Sequence, residues 1–387
     1  MKNILHIEAT NFHDFPLGGT LSFANQFIEN ISANFFLVGF GDENEPIGEW
    51  YTKKINGNNY SFYSIGYTSK VKRSKLPKRI IAYILLKKHI KNIHKNAHKF
   101  DVIFSQTPQF VFEISKYDWQ KTIFCFAGLG NSVGNSKYKY LRFLGGIYEK
   151  ILFKRLKENF NHILAAADEN TIREKELKFQ LPPQSITSFP TRFSPEIYYP
   201  KSVENCRKLI QEDLKVNLIV TVGRLSYIKG WKDLILSFRI LLISKPNSKL
   251  IFIGDGEDKN EIIDFTKDEI KSGKISLVGR KKPEEVALYL NAANLFVMFS
   301  YIEGWPTAMT EALACGKNIV STNIGGSYQM IKEGENGYII KNRDIDSFSN
   351  AMLKSLSLPS PNPISLELSN QYSSNNLNSA FYKIIEK

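Results

Sequence analysis

The sequence is poor in cysteine. Its 387 residues hold three, Cys125, Cys206 and Cys315. An odd set without C-x-x-C spacing argues against a disulfide framework or a zinc site and suits a reducing cytoplasm. The six histidines show no metal-ligand spacing. Long apolar runs are missing too. Stretches such as residues 80–86 fall far below the roughly 20 residues that span a bilayer, and the opening run 3–7 is short for a signal peptide and broken by Glu8. The glycine pairs Gly18-Gly19 and Gly325-Gly326 do not form G-x-G-x-x-G, and no G-x-x-x-x-G-K-[ST] occurs. A dinucleotide cofactor or a P-loop is therefore unsupported. Acidic residues are in deficit, 38 against 51 basic, a net charge of +13. Such an excess points to an anionic partner: nucleic acid, membrane surface or acidic substrate.

Apolar residues make up 43% and charged residues 23%, ordinary for a soluble globular protein, and the length suggests two domains. The second half alternates short β-type runs (217–222, 249–253, 274–278, 295–300, 318–322) with helical patterns (231–243, 258–271, 283–292, 306–315). That alternation predicts a parallel, doubly wound sheet. The first half begins alike, with strand candidates at 3–7, 35–38, 102–105 and 122–126 and a helix over 20–31 after Gly18-Gly19. Residues 181–201, rich in Pro and Ser, read as the interdomain linker. A last helix is expected near 379–387.

Two motifs carry chemistry. The string from Ser300 to Glu311 reads as a buried strand, a glycine turn at Gly304 and a helix opening at Pro306. In open α/β sheets ligands bind at the carboxyl ends of strands, and the free N–H groups of a helix start attract phosphate. Glu303 and Glu311 are not a glycosidase pair: eight residues of helix separate them by roughly 12 Å, against about 5 Å between the carboxyls of a retaining glycosidase. They suit two contacts on one elongated ligand. Gly223-Arg224-Leu225-Ser226-Tyr227-Ile228-Lys229-Gly230 follows the first strand of the second half. Arg224 and Lys229 there can stabilise a departing pyrophosphate.

Ser-x-x-Glu-Gly-x-Pro-x-x-x-x-Glu-Ala-x-Ala-x-Gly at 300–316 and Gly-Arg-Leu-x-x-x-Lys-Gly at 223–230 together resemble the retaining nucleotide-sugar glycosyltransferases of family 4. Gly254-Asp255-Gly256, Gly279, Gly325-Gly326 and Gly334-x-x-Gly337 continue the match. The resemblance implies the α/β GT-B fold: two facing Rossmann-like, doubly wound domains, with the C-terminal helix crossing back to the N-terminal domain. The implied division is 1–198 plus about 372–387 for the acceptor, and 199–371 for the donor. Arg224 and Lys229 would hold the diphosphate, Glu303 the transferred sugar and Glu311 the ribose hydroxyls. Gly223, Gly254, Gly279, Arg280, Gly304, Trp305, Pro306, Thr307 and Ala308 would complete the donor site, with Gly18 and Gly19 meeting the diphosphate from the other domain. No metal or separate cofactor is implied, the donor is a nucleotide sugar with UDP favoured over GDP, and anomeric configuration is retained. The chain departs from the family pattern at 126–130, which lacks the usual His. It departs again at Pro190-Thr191-Arg192-Phe193, where Asn-Gly-(Val/Ile)-Asp is usual, and at Gln329, where Glu is usual.

Residues 70–99 hold eleven Lys/Arg and no acid. On a helical wheel Tyr83, Leu86, Ile90, Ile93 and Ala97 form one stripe beside Lys88, Lys91, Lys95 and Lys99. A second basic, aromatic stretch runs over 137–157. Such a helix either lies on an anionic membrane surface or packs its stripe into a core. No nucleic-acid motif accompanies the charge. The expectation is a peripheral enzyme at the cytoplasmic face of a bacterial membrane, acting on a saccharide or lipid-linked saccharide for envelope polysaccharide, O-antigen, capsule or lipopolysaccharide. The rival readings are a sugar-nucleotide epimerase and a non-catalytic membrane-associated subunit.

Overall fold

The computed structural model describes residues 1–16, 19–129 and 145–386. The chain forms two units, Met1–Thr191 with Leu377–Lys387, and Arg192–Asn376.

In the first unit the strands are β1 (Lys2–Ile7), β2 (Ala33–Gly41), β3 (Trp50–Ile55), β4 (Asn58–Tyr67), β5 (Val102–Ser105), β6 (Thr122–Phe126), β7 (His162–Ala165) and β8 (Ile186–Ser188). They form one sheet in the order β3-β4-β2-β1-β5-β6-β7-β8. Every pairing is parallel except β3 with β4, a hairpin closed by the two-residue turn Asn56-Gly57, a dipeptide that favours such turns. The second unit holds β9 (Asn217–Val222), β10 (Ser248–Ile253), β11 (Ile275–Leu277), β12 (Leu295–Met298), β13 (Asn318–Thr322) and β14 (Gly337–Ile340). Its order is β11-β10-β9-β12-β13-β14, parallel throughout. β6, β12 and β13 are buried at every residue, because helices cover both faces of a parallel sheet. The expected α/β class and its two doubly wound, Rossmann-like units are present.

Strand order reverses once in each unit. From β1 the chain builds outward through β2, then returns to the other side of β1 with β5. From β9 it builds through β10 and β11, then returns to β12. Loops leaving the two central strands at such a reversal diverge, and the crevice between them is the ligand position of this architecture.

The last helix, Leu377–Ile385, belongs to the first unit. Phe381 is fully buried there and meets Phe27 edge-on at 4.9 Å. The Tyr382 hydroxyl donates to the Ser32 carbonyl at 2.7 Å, and the Ser32 amide donates to Asn378 Oδ1 at 2.8 Å. The chain passes between units at 191/192 and 376/377, against the expected 198/199 and about 372. Residues near these crossings bond to one another inside the second unit. The Phe193 amide donates to the Tyr372 carbonyl at 3.0 Å, the Ser374 amide to the Phe193 carbonyl at 2.9 Å, and Arg192 Nη1 to the Gln371 carbonyl at 2.7 Å.

The amphipathic stripe goes to the core. In the helix Lys78–His94, Leu86, Ile90 and Ile93 are buried and pack with Tyr63, Ile65 and Val71. The stripe is therefore not the face that a bilayer would meet, while Lys87, Lys88, Lys91 and Lys95 remain in solvent. Of the second basic stretch, residues 137–144 lie outside the described residues.

Replacing Phe381 by Ala removes a ring from the first unit's core. The expected cost is about 3–5 kcal/mol. Hydrogen exchange should show it as faster exchange of β1 and β2 amides, with β9 and β10 amides unaffected.

Candidate functional site

The second unit brings most of the expected donor residues to the reversal between β9 and β12. After β9 the chain runs through Gly223, Arg224 and Leu225 into a single 3-10 turn, Tyr227–Lys229, and then the helix Trp231–Ser244. After β12 it runs through Ser300 and Glu303 to the helix Thr307–Ala314. The two loops are joined by the Tyr301 amide, which donates to the Ile228 carbonyl at 2.8 Å.

Lys229 Nζ donates to Glu303 Oε1 in an ion pair, and Ser300 Oγ donates to the same oxygen at 2.8 Å. Ser300 is itself fixed, since Thr322 Oγ1 at the end of β13 donates to its carbonyl at 2.6 Å. Ser300 and Thr322 are fully buried, so Glu303 is aimed by groups that cannot swing away. A second brace lies behind: the Tyr301 hydroxyl donates to Asp233 Oδ2 at 2.7 Å, and Arg343 Nη2 donates to the Tyr301 carbonyl at 2.8 Å. Burial, then Asp233, pushes the Tyr301 hydroxyl well above its usual range.

Arg224 and Lys229 line one small cavity with Gly223 and Ser300. Arg224 stays at the rim, its side chain 70% exposed and paired with Glu257 at 2.8 Å. An exposed pair of this kind contributes little to stability, so Arg224 can exchange Glu257 for another anion at small cost.

Two glycines let backbone close on backbone. A Cβ on Gly254 would stand 1.8 Å from the Gly223 carbonyl oxygen. On Gly325 it would stand 2.4 Å from the Gly304 carbonyl oxygen and 2.8 Å from that of Glu303. Any side chain there would push the loops after β9 and β12 off their positions. Trp305 is buried, edge-on to Tyr372 at 5.1 Å. Pro306 is the residue before the helix and makes no side-chain cap bond to it.

Glu311 lies on that helix, away from the ion pair and near Tyr198. Burial pushes its carboxyl up to about 7, and the neighbouring Tyr198 hydroxyl opposes that rise. Tyr198 is a site neighbour that the sequence reading left inside a linker. Gly279 is tied in by its carbonyl, which accepts from the Gly254 amide at 2.9 Å. Arg280 follows β11 at the sheet's edge and is exposed. In the first unit Gly19 opens the helix Gly19–Asn30, while Gly18 and Gly130 lie outside the described residues. Sequence reading also missed Glu8 at the end of β1. It is fully buried, accepts from the Gln106 amide at 2.7 Å and from Thr107 Oγ1, and is pushed up by burial.

Residues 202–378 match the model of the family described as glycosyl transferases group 1. Over 110 residues the chain is 32% identical to UDP-Gal:alpha-D-GlcNAc-diphosphoundecaprenol alpha-1,3-galactosyltransferase of Escherichia coli, covering 28% of each chain. It is 28% identical over 154 residues to a capsular polysaccharide biosynthesis glycosyltransferase of Staphylococcus aureus, covering 40% of each. These matches span less than half the length of either relative. The sucrose-phosphate synthase of Thermosynechococcus elongatus has the same fold, with a TM-score of 0.78 at 15% identity over 100% of this chain and 98% of that one. That likeness shows the fold, the GT-B class.

Gly254→Ala puts a methyl group against backbone rather than against a movable side chain. We expect a loss of about 1–3 kcal/mol, read as a lower unfolding midpoint of the second unit in thermal denaturation.

Proposed function

We propose that the protein is a retaining glycosyltransferase that moves a sugar from a nucleotide diphosphate donor to a saccharide acceptor of bacterial envelope polysaccharide. The observation that carries this reading is the meeting of Lys229 and Glu303 at the β9/β12 reversal, in the loop that leads into the helix Thr307–Ala314. The match of residues 202–378 to glycosyl transferases group 1 supports it.

The diphosphate lies on Lys229, Arg224 and the amides of Thr307 and Ala308. Both bonds that orient Glu303 fall on Oε1, which leaves Oε2 to accept a hydroxyl of the transferred sugar. Glu311 accepts the ribose hydroxyls. In the reaction the bond from the sugar's anomeric carbon to the diphosphate oxygen breaks. The acceptor hydroxyl oxygen bonds to that carbon on the same face, and its proton passes to the departing phosphate oxygen. The leaving group's developing charge is met by Lys229, Arg224 and the helix start, which is the basis for a metal-independent reaction. The name of the Escherichia coli relative supports a UDP-sugar donor and a lipid-linked acceptor, and that of the Staphylococcus aureus relative supports envelope polysaccharide.

A lipid-linked acceptor suits an enzyme held at the cytoplasmic face of the membrane. Among the described residues no helix is long and apolar enough to cross one, and the surface that could rest on one is in the first unit. Ile80 and Ile84 are exposed on the helix Lys78–His94, beside Leu76, and Ile147 and Ile151 are exposed on the helix Gly145–Asn159. A concavity of about 350 Å³ lies between the two helices, lined by Ile80, Tyr83, Phe112, Lys116, Tyr148 and Arg155. Lys75, Lys78, Arg79, Lys150 and Lys154 lie exposed on the same two segments. Isoleucines among lysines fit an anionic bilayer surface.

Glu303→Ala should lower kcat at least 100-fold, the usual cost of losing a transition-state contact, with an unchanged circular dichroism spectrum. Full activity would remove the assignment, and a donor product that is an isomer of unchanged mass would replace transfer by epimerisation. UDP at 100 times its dissociation constant should add about 2.7 kcal/mol of stability, and Lys229→Ala should abolish most of that gain. For the membrane reading, the protein should float with vesicles containing anionic lipid at low salt and not with neutral ones. Ile147→Glu combined with Ile151→Glu should release it, and flotation indifferent to lipid charge would overturn the assignment.

A further inference from the structure

Three helical stretches of the first unit border its concavity of about 350 Å³, a volume within the range of small-ligand sites. The helix Lys78–His94 contributes Ile80 and Tyr83, three residues apart. The helix Gly145–Asn159 contributes Tyr148 and Arg155, seven apart. Such spacings put the side chains on one face of each helix. Between them lies the short helix Val111–Ile114, which packs against both. It supplies Phe112, and Lys116 follows just after it. The Phe112 and Tyr148 rings meet at 5.7 Å, so the concavity has an aromatic wall.

Its charge is uncompensated. Lys116 and Arg155 line it, and among the described residues no Asp or Glu does. Lys116 is held from behind, its ammonium donating to Glu113 Oε1 at 2.7 Å, and Glu113 is buried. An ammonium has three donors, so two are left for a ligand. Arg155 is exposed. The acid nearest to it in sequence, Glu158, pairs with Lys154 instead, at 3.9 Å, and Arg155 makes no ion pair among the described residues. All five of its donors are therefore open to an anion, and a guanidinium fork matches the oxygens of a phosphate.

Two simpler occupants fit this arrangement poorly. Hydrocarbon alone would strip water from two cations and give them no partner. A free phosphate would pair with the cations and leave Ile80, Ile84, Ile147 and Ile151 in water, where they are now. An amphiphile with a phosphate satisfies both. We infer that the concavity is a binding site for the phosphate headgroup of one anionic membrane lipid. The phosphate lies between Lys116 and Arg155, the glycerol rests on the Phe112 and Tyr148 rings, and the acyl chains leave past the isoleucines. This site rests on the membrane reading above and deepens it. A charged, apolar face attracts lipid diffusely, at about 1 kcal/mol per basic residue whichever residue it is. A site binds one lipid per chain and depends on particular residues.

The test uses dihexanoyl-phosphatidylglycerol below its micelle concentration, titrated into the full chain by calorimetry. We expect saturable binding of one lipid per chain. Glycerol 3-phosphate, which lacks the chains, and dihexanoylglycerol, which lacks the phosphate, should each bind about tenfold more weakly or worse. Glycerol 3-phosphate binding as tightly as the lipid would make this a site for a free phosphate ester, and dihexanoylglycerol doing so would make it a hydrocarbon groove. Either result overturns the assignment. Arg155→Gln, a change at an exposed position that the fold tolerates, should weaken the lipid about tenfold, the share of a hydrogen bond to a charged group. Lys150→Gln removes the same charge from the same helix outside the concavity and should change it by less than about twofold. Equal losses in the two variants would leave only diffuse attraction and remove the site. Vesicle flotation separates the two levels. Flotation with anionic vesicles without binding of the monomeric lipid removes the site and keeps the membrane reading, whereas the absence of both removes both.

Discussion

One carboxylate, that of Glu303, holds the second unit's ligand edge together. Its Oε1 receives Lys229 from the loop after β9 and Ser300 from the loop after β12. The carbonyl of Ser300 receives Thr322 from β13. Three adjacent strands are thus tied at their carboxyl ends through one chain of polar contacts. Hydrogen bonds to a charged group contribute about 1.5–3 kcal/mol each when shielded from water, and here the shielding is provided by residues that are themselves fully buried. The same contacts that aim the carboxylate therefore hold the loops, and glycines let their backbones approach: Gly230 beside the Phe299 carbonyl joins the loop after β9 to that after β12, while Gly254 and Gly325 close on them from the β10 and β13 sides.

The first unit has a carboxylate at the equivalent reversal, with a different environment. Glu8 follows β1, and the loop after β5 covers it with the Gln106 amide and the Thr107 hydroxyl. The Ala9 amide donates to it as well, at 3.1 Å. Three donors take its acceptor positions and no ammonium touches it, so burial wins and its carboxyl rises. Glu303, with one oxygen held and one left, is arranged to bind something. Glu8, occupied on both oxygens, is arranged to fasten β1 to β5. Two glutamates at the strand-order reversals of two similar sheets, one after β1 and one after β12, thus do different work, and the difference lies in the donors their neighbours supply.

Five of the six strands of the second unit, all but β14, were legible in the sequence because a parallel strand buried on both faces leaves an unbroken apolar run, as in Asn318–Thr322, and because glycines mark where those runs end. The motif residues Lys229 and Glu303, far apart in the chain, were legible as partners of one ligand only through strand-end position, and the fold brings them into contact. Other features were not legible, β7 and β8 among them. The hairpin Trp50–Tyr67 carries its signal in Asn56-Gly57, but neither of its strands was among those expected, and β3 lies at the sheet's edge with exposed and buried residues mixed. The stripe of Leu86, Ile90 and Ile93 was visible as a stripe, yet a helical wheel shows that a face is apolar without showing what it faces. Here it faces β4 and the first unit's own core. Tyr198 sits in a segment with no period at all. Its place is set by the tertiary hydrogen bonds of its neighbours, Phe193 with Tyr372 and Ser374 and Tyr199 and Lys201 with Asn291, which no local pattern encodes.

The exposed isoleucines follow from the same geometry. A helix that commits one stripe to a core has its opposite side in water, and that side is ordinarily polar. The helix Lys78–His94 buries Ala82, Leu86, Ile90 and Ile93, which fully accounts for its packing, and still carries Ile80 and Ile84 outward. The helix Gly145–Asn159 repeats this, with Leu152, Phe153 and Leu156 inward and Ile147 and Ile151 outward. Single exposed apolar residues need no explanation. Two pairs, each one helical turn apart on two helices that both border one concavity and both carry exposed lysines, are a different matter, since each such residue leaves apolar surface in water at about 25 cal/mol per Å². The fold does not need them outside. On the proposed membrane reading, a surface that covers them would recover that cost, and the lysines beside them would favour an anionic one.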